Sequence, residues 1–158
     1  MTDTADVREL VLDTVLDAPR DKVWRCWTEA ELMKRWWSPA PWGSTPLVEI
    51  DPRAGGTFRT VMRAQEGGME MDNSGVILEV APGERFVWTD AFTRAWVPSG
   101  KAFMVVTVTL EDAEGGRTRY VARVRHWSDE DAESHRQMGF HEGWGLVATQ
   151  LEATARSL

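Results

Sequence analysis

Alternating apolar and polar positions predict that most of this chain folds as β-sheet. Residues 7–17 form the first predicted strand, which ends before Pro19 because proline has no N–H to give to a strand ladder. Similar runs separated by turn residues predict further strands at 47–51, 57–64, 69–80, 85–92, 101–111 and 118–127. We expect the strand 69–80 to be interrupted near Asp72, and residues 114–116 to join the last two strands as a hairpin.

The last predicted strand, 118–127, alternates most regularly. Its arginines fall on one face, whereas Tyr120, Ala122, Val124 and His126 fall on the other. An antiparallel sheet commonly has one face in water and one against the core. The pattern therefore predicts a sheet with a solvated, arginine-rich face and an opposite face that packs inward.

Helical spacing of apolar residues occurs in two places. Two short helices are predicted between residues 21 and 37, the second opened by Thr28 and Glu31, which have the spacing of a capping box. One long helix is predicted from Ser128, a suitable N-cap, to Leu158. The order of a strand, two short helices, about six strands and a long helix indicates an α+β fold.

The long C-terminal helix contains three glycines, at Gly139, Gly143 and Gly145. A glycine inside a helix costs about 1 kcal/mol relative to alanine, so three of them need a reason. Close approach of a strand backbone is the more common reason for glycine. The alternative is that the helix lacks side chains there to leave space for a ligand.

Whole-chain properties exclude several classes of function. The 158 residues predict a single domain, 1–158, and the net charge of −7 argues against nucleic acid as a partner. No apolar run is long enough to span a membrane, so we expect a cytoplasmic protein. Cys26 is the only cysteine, and the three histidines lack metal-ligand spacing, so we expect neither a disulfide, a metal nor a cofactor.

Nine tryptophans against one tyrosine are unusual for a chain of this length. Such residues can fill a solid core or line a large apolar cavity. We expect the inner faces of the sheet and the long helix to enclose a ligand cavity. The predicted ligand-binding residues are Trp37, Phe58, Met62, Met71, Trp88, Phe92, Met138, His141 and Gly145.

Several segments together resemble a known superfamily. Residues 18–28 and 35–39 resemble the opening of START/Bet v 1-like (SRPBCC) proteins. Residues 51–58 and 75–85 are similar to the branch that includes the C-terminal domain of the Hsp90 ATPase activator, and residues 138–144 fit the final helix of that branch. The resemblance implies a helix-grip fold, in which a curved antiparallel sheet of about six or seven strands wraps the long C-terminal helix around a cavity.

The resemblance does not define a reaction, because its members include ligand carriers, cyclases, hydrolases and co-chaperones. We favour a binding protein for a hydrophobic, apolar or aromatic small molecule over an enzyme. The alternative is an acid–base enzyme for a carbonyl or polyketide-like substrate. In that alternative Asp90, placed on an apolar inward face, would act with His126 or His141.

A third possibility is a co-chaperone-like domain that binds another protein. An exposed apolar patch around Trp36, Trp37 and Trp42 would favour this function, and the same patch could form a homodimer. The eukaryotic co-chaperone has a separate N-terminal domain that contacts the chaperone. This chain has no room for such a domain, so we do not expect a chaperone as its partner.

Overall fold

The structure is a computed structural model and describes residues 7–158, so the first six residues of the predicted domain lie outside the described residues. The strands are β1 (Glu9–Leu16), β2 (Gly43–Ile50), β3 (Thr57–Ala64), β4 (Glu70–Ala81), β5 (Arg85–Thr89), β6 (Phe92–Arg94), β7 (Val97–Pro98), β8 (Met104–Ala113) and β9 (Arg117–His126). The helices are α1 (Arg20–Thr28), α2 (Ala30–Met33), α3 (Asp129–Gln137) and α4 (Phe140–Arg156), and a 3-10 turn at Glu114–Gly116 joins β8 to β9.

Seven strands form one curved antiparallel sheet in the order β1-β9-β8-β5-β4-β3-β2. Strands β6 and β7 pair only with each other and form a small separate ribbon. Helix α4 packs against α1 and β1 on the concave side of the sheet. This architecture confirms the predicted α+β class and the helix-grip fold. Within the described residues, no helix is long and apolar enough to cross a membrane.

The two faces of β9 differ as its alternation predicts. On the convex face Arg119 forms an ion pair with Asp13 at 2.7 Å, and Arg125 pairs with Glu9 at the same distance. On the concave face Tyr120 is 2% exposed. The arginines therefore keep the convex face in water, and the concave face carries the core.

The predicted long C-terminal helix is two helices. Ser128 does cap the first of them, because its Oγ accepts a hydrogen bond from the Asp131 backbone N–H at 3.0 Å. The chain then breaks at Gly139, whose φ of 88° lies in the left-handed region that favours glycine. Gly139 is therefore the break between α3 and α4, and only Gly143 and Gly145 lie inside a helix.

The boundaries near the other turns also differ from the prediction. Thr28 does not open α2, because it is the last residue of α1 and its Oγ1 donates to the Trp24 carbonyl at 3.0 Å. Helix α2 spans only Ala30–Met33 and follows Glu29, which makes no side-chain capping bond. The predicted capping box is thus absent.

Two predicted strands also need correction. The β3–β4 ladder runs without a break past Asp72, and the irregularity of β4 lies later, between Ile77 and Glu79 where it pairs with β5. The strand predicted over 85–92 ends at Thr89, and a bend separates it from β6. At this bend the Asp90 side chain accepts hydrogen bonds from two backbone N–H groups at the start of β8.

Candidate functional site

A cavity of about 330 Å³ lies between the concave face of the sheet and the helices α1, α3 and α4. Its wall is mainly aromatic. The rings come from α1 and the segment that follows it (Trp27, Trp36, Trp37) and from α4 (Phe140, Trp144). Cavities of this size with mostly apolar walls are typical of small-molecule sites.

The aromatic wall is held by ring-on-ring packing. Trp37 meets Trp27 edge-on with 5.6 Å between ring centroids, and Phe140 packs against Trp144 at 5.2 Å. Behind Trp37 lie Phe58 and Trp88, whose rings stack on each other at 4.5 Å. These rings therefore support one another across the wall.

Three of the nine predicted ligand-binding residues, Trp37, Met62 and Met138, line the cavity. Phe58 and Trp88 are 2% and 4% exposed and form the layer behind Trp37. These two residues support the wall without forming it.

The other four predicted ligand-binding residues are not part of the wall. Met71 lies opposite Met62 in the β3–β4 ladder but is 40% exposed. Phe92 belongs to the β6–β7 ribbon and packs on Trp96. His141 is exposed beside Phe140, and Gly145 is on a side of α4 that does not face the cavity.

The two glycines inside α4 do not touch a strand. A Cβ atom added to Gly143 or to Gly145 would meet no heavy atom within 4 Å, outside the helix's own backbone. Close strand packing, the first explanation for these glycines, is therefore wrong. Gly143 lines the cavity, so the missing side chain at this position adds to the open volume.

The polar part of the site is a pair of histidines. His126, at the end of β9, and His135, in α3, are joined by a hydrogen bond of 2.8 Å between His126 Nε2 and His135 Nδ1. The other nitrogen of His126, Nδ1, lies 2.8 Å from the Arg8 backbone carbonyl. Since a carbonyl oxygen only accepts, His126 Nδ1 must donate. In neutral His126 the Nε2 atom therefore accepts, and His135 Nδ1 donates to it.

His135 is held as a neutral ring. The rings of Phe103, Phe140 and Trp144 surround it at 5.1 to 6.3 Å. Burial, assisted by the neighbouring His126, lowers the pKa of His135 from 6.5 to about 4. His135 lines the cavity, and the sequence reading assigned it to no site. The sequence contains one feature that could predict its position. Only one residue separates the inward-facing His126 from the Ser128 N-cap, so the first turns of α3 must lie near the end of β9.

Tyr120 provides a second polar group in the wall. Its hydroxyl oxygen accepts a hydrogen bond from Trp27 Nε1 at 3.2 Å. Burial raises the pKa of Tyr120, so the hydroxyl stays protonated. This group can therefore donate its own proton to a bound molecule.

The predicted acid–base pair is not assembled. Asp90 Oδ1 accepts hydrogen bonds from the backbone N–H groups of Phe103 at 2.9 Å and Met104 at 3.1 Å. Both nitrogens of His126 are occupied, and His141 faces solvent. Asp90 thus fixes the turn into β8, and the structure gives it no histidine partner.

Two other kinds of reactive site, a reactive thiol and a metal centre, can be assessed from the positions of the side chains. Burial raises the pKa of the Cys26 thiol to about 11, so it stays protonated. No cluster of three or more histidine, cysteine, aspartate or glutamate side chains that could hold a metal is present in residues 7–158.

The predicted tryptophan patch is divided between the core and the surface. Trp36 is 1% exposed, and its Nε1 donates to the Cys26 carbonyl. Trp37 lines the cavity, and Trp42 is 37% exposed. These three residues therefore form no continuous exposed surface for a partner or a second copy.

The fold is that of a known family of proteins. The family model described as activator of Hsp90 ATPase homolog 1-like protein matches residues 17–156, and the chain belongs to this family. This result confirms the resemblance inferred from the sequence. None of the curated proteins compared with the chain matches it.

Solved structures from bacteria share the whole fold. A protein from Nitrosomonas europaea is 38% identical, with a TM-score of 0.91 over 98% of this chain and 97% of that chain. A protein from Rhodobacter sphaeroides is 18% identical, with a TM-score of 0.84 over 98% and 97%. An AHSA1-like protein from Aeromonas hydrophila is 17% identical, with a TM-score of 0.72 over 94% and 92%. At these lower identities the likeness shows the fold alone.

The low pKa of His135 predicts a loss of stability in mild acid. Between pH 6.5 and 4 the unfolded chain binds a proton at this histidine and the folded chain does not, so stability falls as the pH falls. Because solvent reaches part of the ring, we expect a loss of about 1–2 kcal/mol rather than the full linkage value. Urea unfolding from pH 7 to pH 4 should show this loss in wild type relative to His135→Asn. Parallel pH profiles of the two proteins would contradict the assignment.

Proposed function

We propose that this protein binds a neutral, hydrophobic small molecule in the cavity between the sheet and the helices, without catalysing a reaction. The observation that carries the proposal is Gly143. A helix residue without a side chain faces an aromatic-walled cavity, and no neighbouring atom requires the glycine. A methyl group would be tolerated sterically and would favour the helix by about 1 kcal/mol. A glycine in that position is thus consistent with space kept for a ligand.

The chemistry of the wall supports a neutral ligand. Among residues 7–158, no aspartate, glutamate, lysine or arginine lines the cavity, and His135 is neutral near pH 7. A charged group buried here would lose its hydration without gaining an ion pair, which is strongly unfavourable. Aromatic walls instead favour flat apolar molecules, which stack on the rings.

Two glycines of α4 provide a matched test. Leucine at Gly143 would extend into the cavity, whereas Gly145 does not line it, and at both sites the Cβ atom would meet no neighbour within 4 Å among the described residues. We expect Gly143→Leu to weaken binding of a hydrophobic ligand about tenfold or more, and Gly145→Leu to change it less than twofold. Native mass spectrometry of the purified protein and a thermal-shift screen with hydrophobic compounds would supply the ligand.

The same experiment can contradict the proposal. If neither co-purified molecules nor library compounds bind to wild type, the cavity is not a binding site for hydrophobic ligands. If Gly143→Leu and Gly145→Leu weaken binding equally, the ligand lies elsewhere. Urea unfolding of both variants should show intact, comparably stable proteins, because leucine is a good helix former.

A further inference from the structure

We infer that His135 determines the ligand specificity of the cavity: its Nε2 atom is a fixed hydrogen-bond acceptor that selects neutral aromatic molecules with a hydroxyl or N–H group. The inference rests on the proposed function and adds the chemical class of the ligand. It follows from a chain of hydrogen bonds that begins outside the cavity.

The chain of hydrogen bonds fixes the tautomer of His135. The Arg8 carbonyl accepts from His126 Nδ1, so in neutral His126 the Nε2 atom accepts from His135 Nδ1. The proton of the neutral His135 ring is therefore on Nδ1, and Nε2 keeps its lone pair. The backbone carbonyl of Arg8, just before β1, thus determines the hydrogen-bonding character of an atom in the cavity wall.

The Nε2 atom of His135 makes no hydrogen bond with the described residues and is not fully buried. His135 lines the cavity, and its recorded hydrogen bond uses Nδ1. Among the described residues that are not exposed, one fully buried side-chain nitrogen or oxygen lacks a hydrogen-bond partner, and this atom is Trp88 Nε1. His135 Nε2 also lacks a partner but does not belong to this group, so it is not fully buried. His135 Nε2 is therefore reachable by a molecule in the cavity.

The other nitrogen and oxygen atoms on the side chains of the wall favour donation. The indole N–H groups of Trp37 and Trp144 can only donate. The Tyr120 hydroxyl already accepts from Trp27, which leaves its own proton for donation. A hydroxyl of a ligand can thus donate to His135 and, within reach of these groups, accept from one of them. An ether oxygen at the same position could only accept, and it would leave His135 Nε2 unpaired.

A matched pair of compounds tests the specificity. 2-Naphthol and 2-methoxynaphthalene present the same rings, but only 2-naphthol donates a hydrogen bond. We expect wild type to bind 2-naphthol about 3- to 10-fold more tightly than 2-methoxynaphthalene, the effect of one neutral hydrogen bond. Isothermal titration calorimetry or quenching of tryptophan fluorescence would measure both affinities.

Two substitutions at His135 distinguish the roles of its two ring nitrogens. The side-chain amide of His135→Asn can still donate to His126 from the Nδ1 position but lacks an acceptor at the Nε2 position. We expect this variant to bind both compounds within about twofold of each other, because it lacks the acceptor that distinguishes them. His135→Gln places an amide oxygen near the Nε2 position and should retain part of the preference for 2-naphthol.

A measurement on the wild-type protein tests the same inference without depending on whether the variants fold. Long-range proton–nitrogen NMR should show His135 Nε2 unprotonated and should show its signal move with 2-naphthol more than with 2-methoxynaphthalene. Equal binding of both compounds by wild type, or an unchanged preference in His135→Asn, would overturn the role of His135 and leave the binding function intact. Failure of wild type to bind either compound would count against the proposed function itself.

Discussion

Replacing Trp27 by alanine is expected to lower the free energy of unfolding by about 3–5 kcal/mol, the usual effect of removing a large buried aromatic side chain. Trp27 is 1% exposed and lies where the wall of the cavity meets the core. Its ring packs on Trp36 and Phe86 at 5.3 and 5.6 Å. The substitution also removes the hydrogen bond that Trp27 Nε1 donates to the Tyr120 hydroxyl. Urea unfolding followed by circular dichroism would measure the loss.

Trp127→Ala is the matched control for this prediction. It removes the same side chain from a position that is 48% exposed, just after β9. We expect a change within about 0.5 kcal/mol, as is usual for surface substitutions. If the two variants lost similar stability, the aromatic layer around Trp27 would not be the centre of the core.

Trp27→Ala should also enlarge the cavity, so hydrophobic dyes that wild type excludes should bind to it.

The sequence predicts a strand well where the alternation of side chains within that strand is enough to define it. Strand β9 shows this most clearly, because alternation with a period of two depends only on which face of the strand is buried. All of its predicted inward residues lie on the concave face of the sheet. Strand β3 was predicted with its observed bounds for the same reason.

The errors occur where a distant contact determines the structure. Strand β5 ends at Thr89 because Asp90 binds the backbone of Phe103 and Met104, thirteen and fourteen residues further along the chain. No local pattern indicates this contact. The sequence also predicts Gly139 inside a helix, because the residue type alone does not show that its φ is positive.

The candidate site was predicted in part for similar reasons. Trp37, Met62 and Met138 line the cavity, and their positions follow from which face of an element points inward. His135 was missed because its place in the wall depends on a partner in another element, His126. Hydrogen-bonded pairs between elements are a property of the fold, and a single amino-acid sequence does not show them.

The glycines that make close contacts lie at the sheet rather than in α4, and the second large effect is expected there. Gly56→Ala should lower the free energy of unfolding by about 2–3 kcal/mol, because a Cβ atom would lie 1.9 Å from the Asp51 carbonyl oxygen and 2.9 Å from that of Arg53. Both are backbone atoms, so the turn between β2 and β3 must move. The same turn is hydrogen-bonded to β4, since the Gly56 carbonyl accepts from the Ile77 N–H at 2.9 Å. Chemical denaturation would measure the loss.

Gly145→Ala is the control, and it should change stability in the opposite direction. Its Cβ atom would meet nothing within 4 Å, so the helix gains up to about 1 kcal/mol from alanine. The two substitutions add the same methyl group, and the expected difference of about 3–4 kcal/mol between them combines the backbone contact at Gly56 with the helix gain at Gly145. If Gly56→Ala were as stable as wild type, the turn would be able to shift, and its hydrogen bond to β4 would not hold it in place. If Gly145→Ala were destabilised, a neighbour would contact that face of α4, and the space assigned to the glycines of this helix would have to be reconsidered.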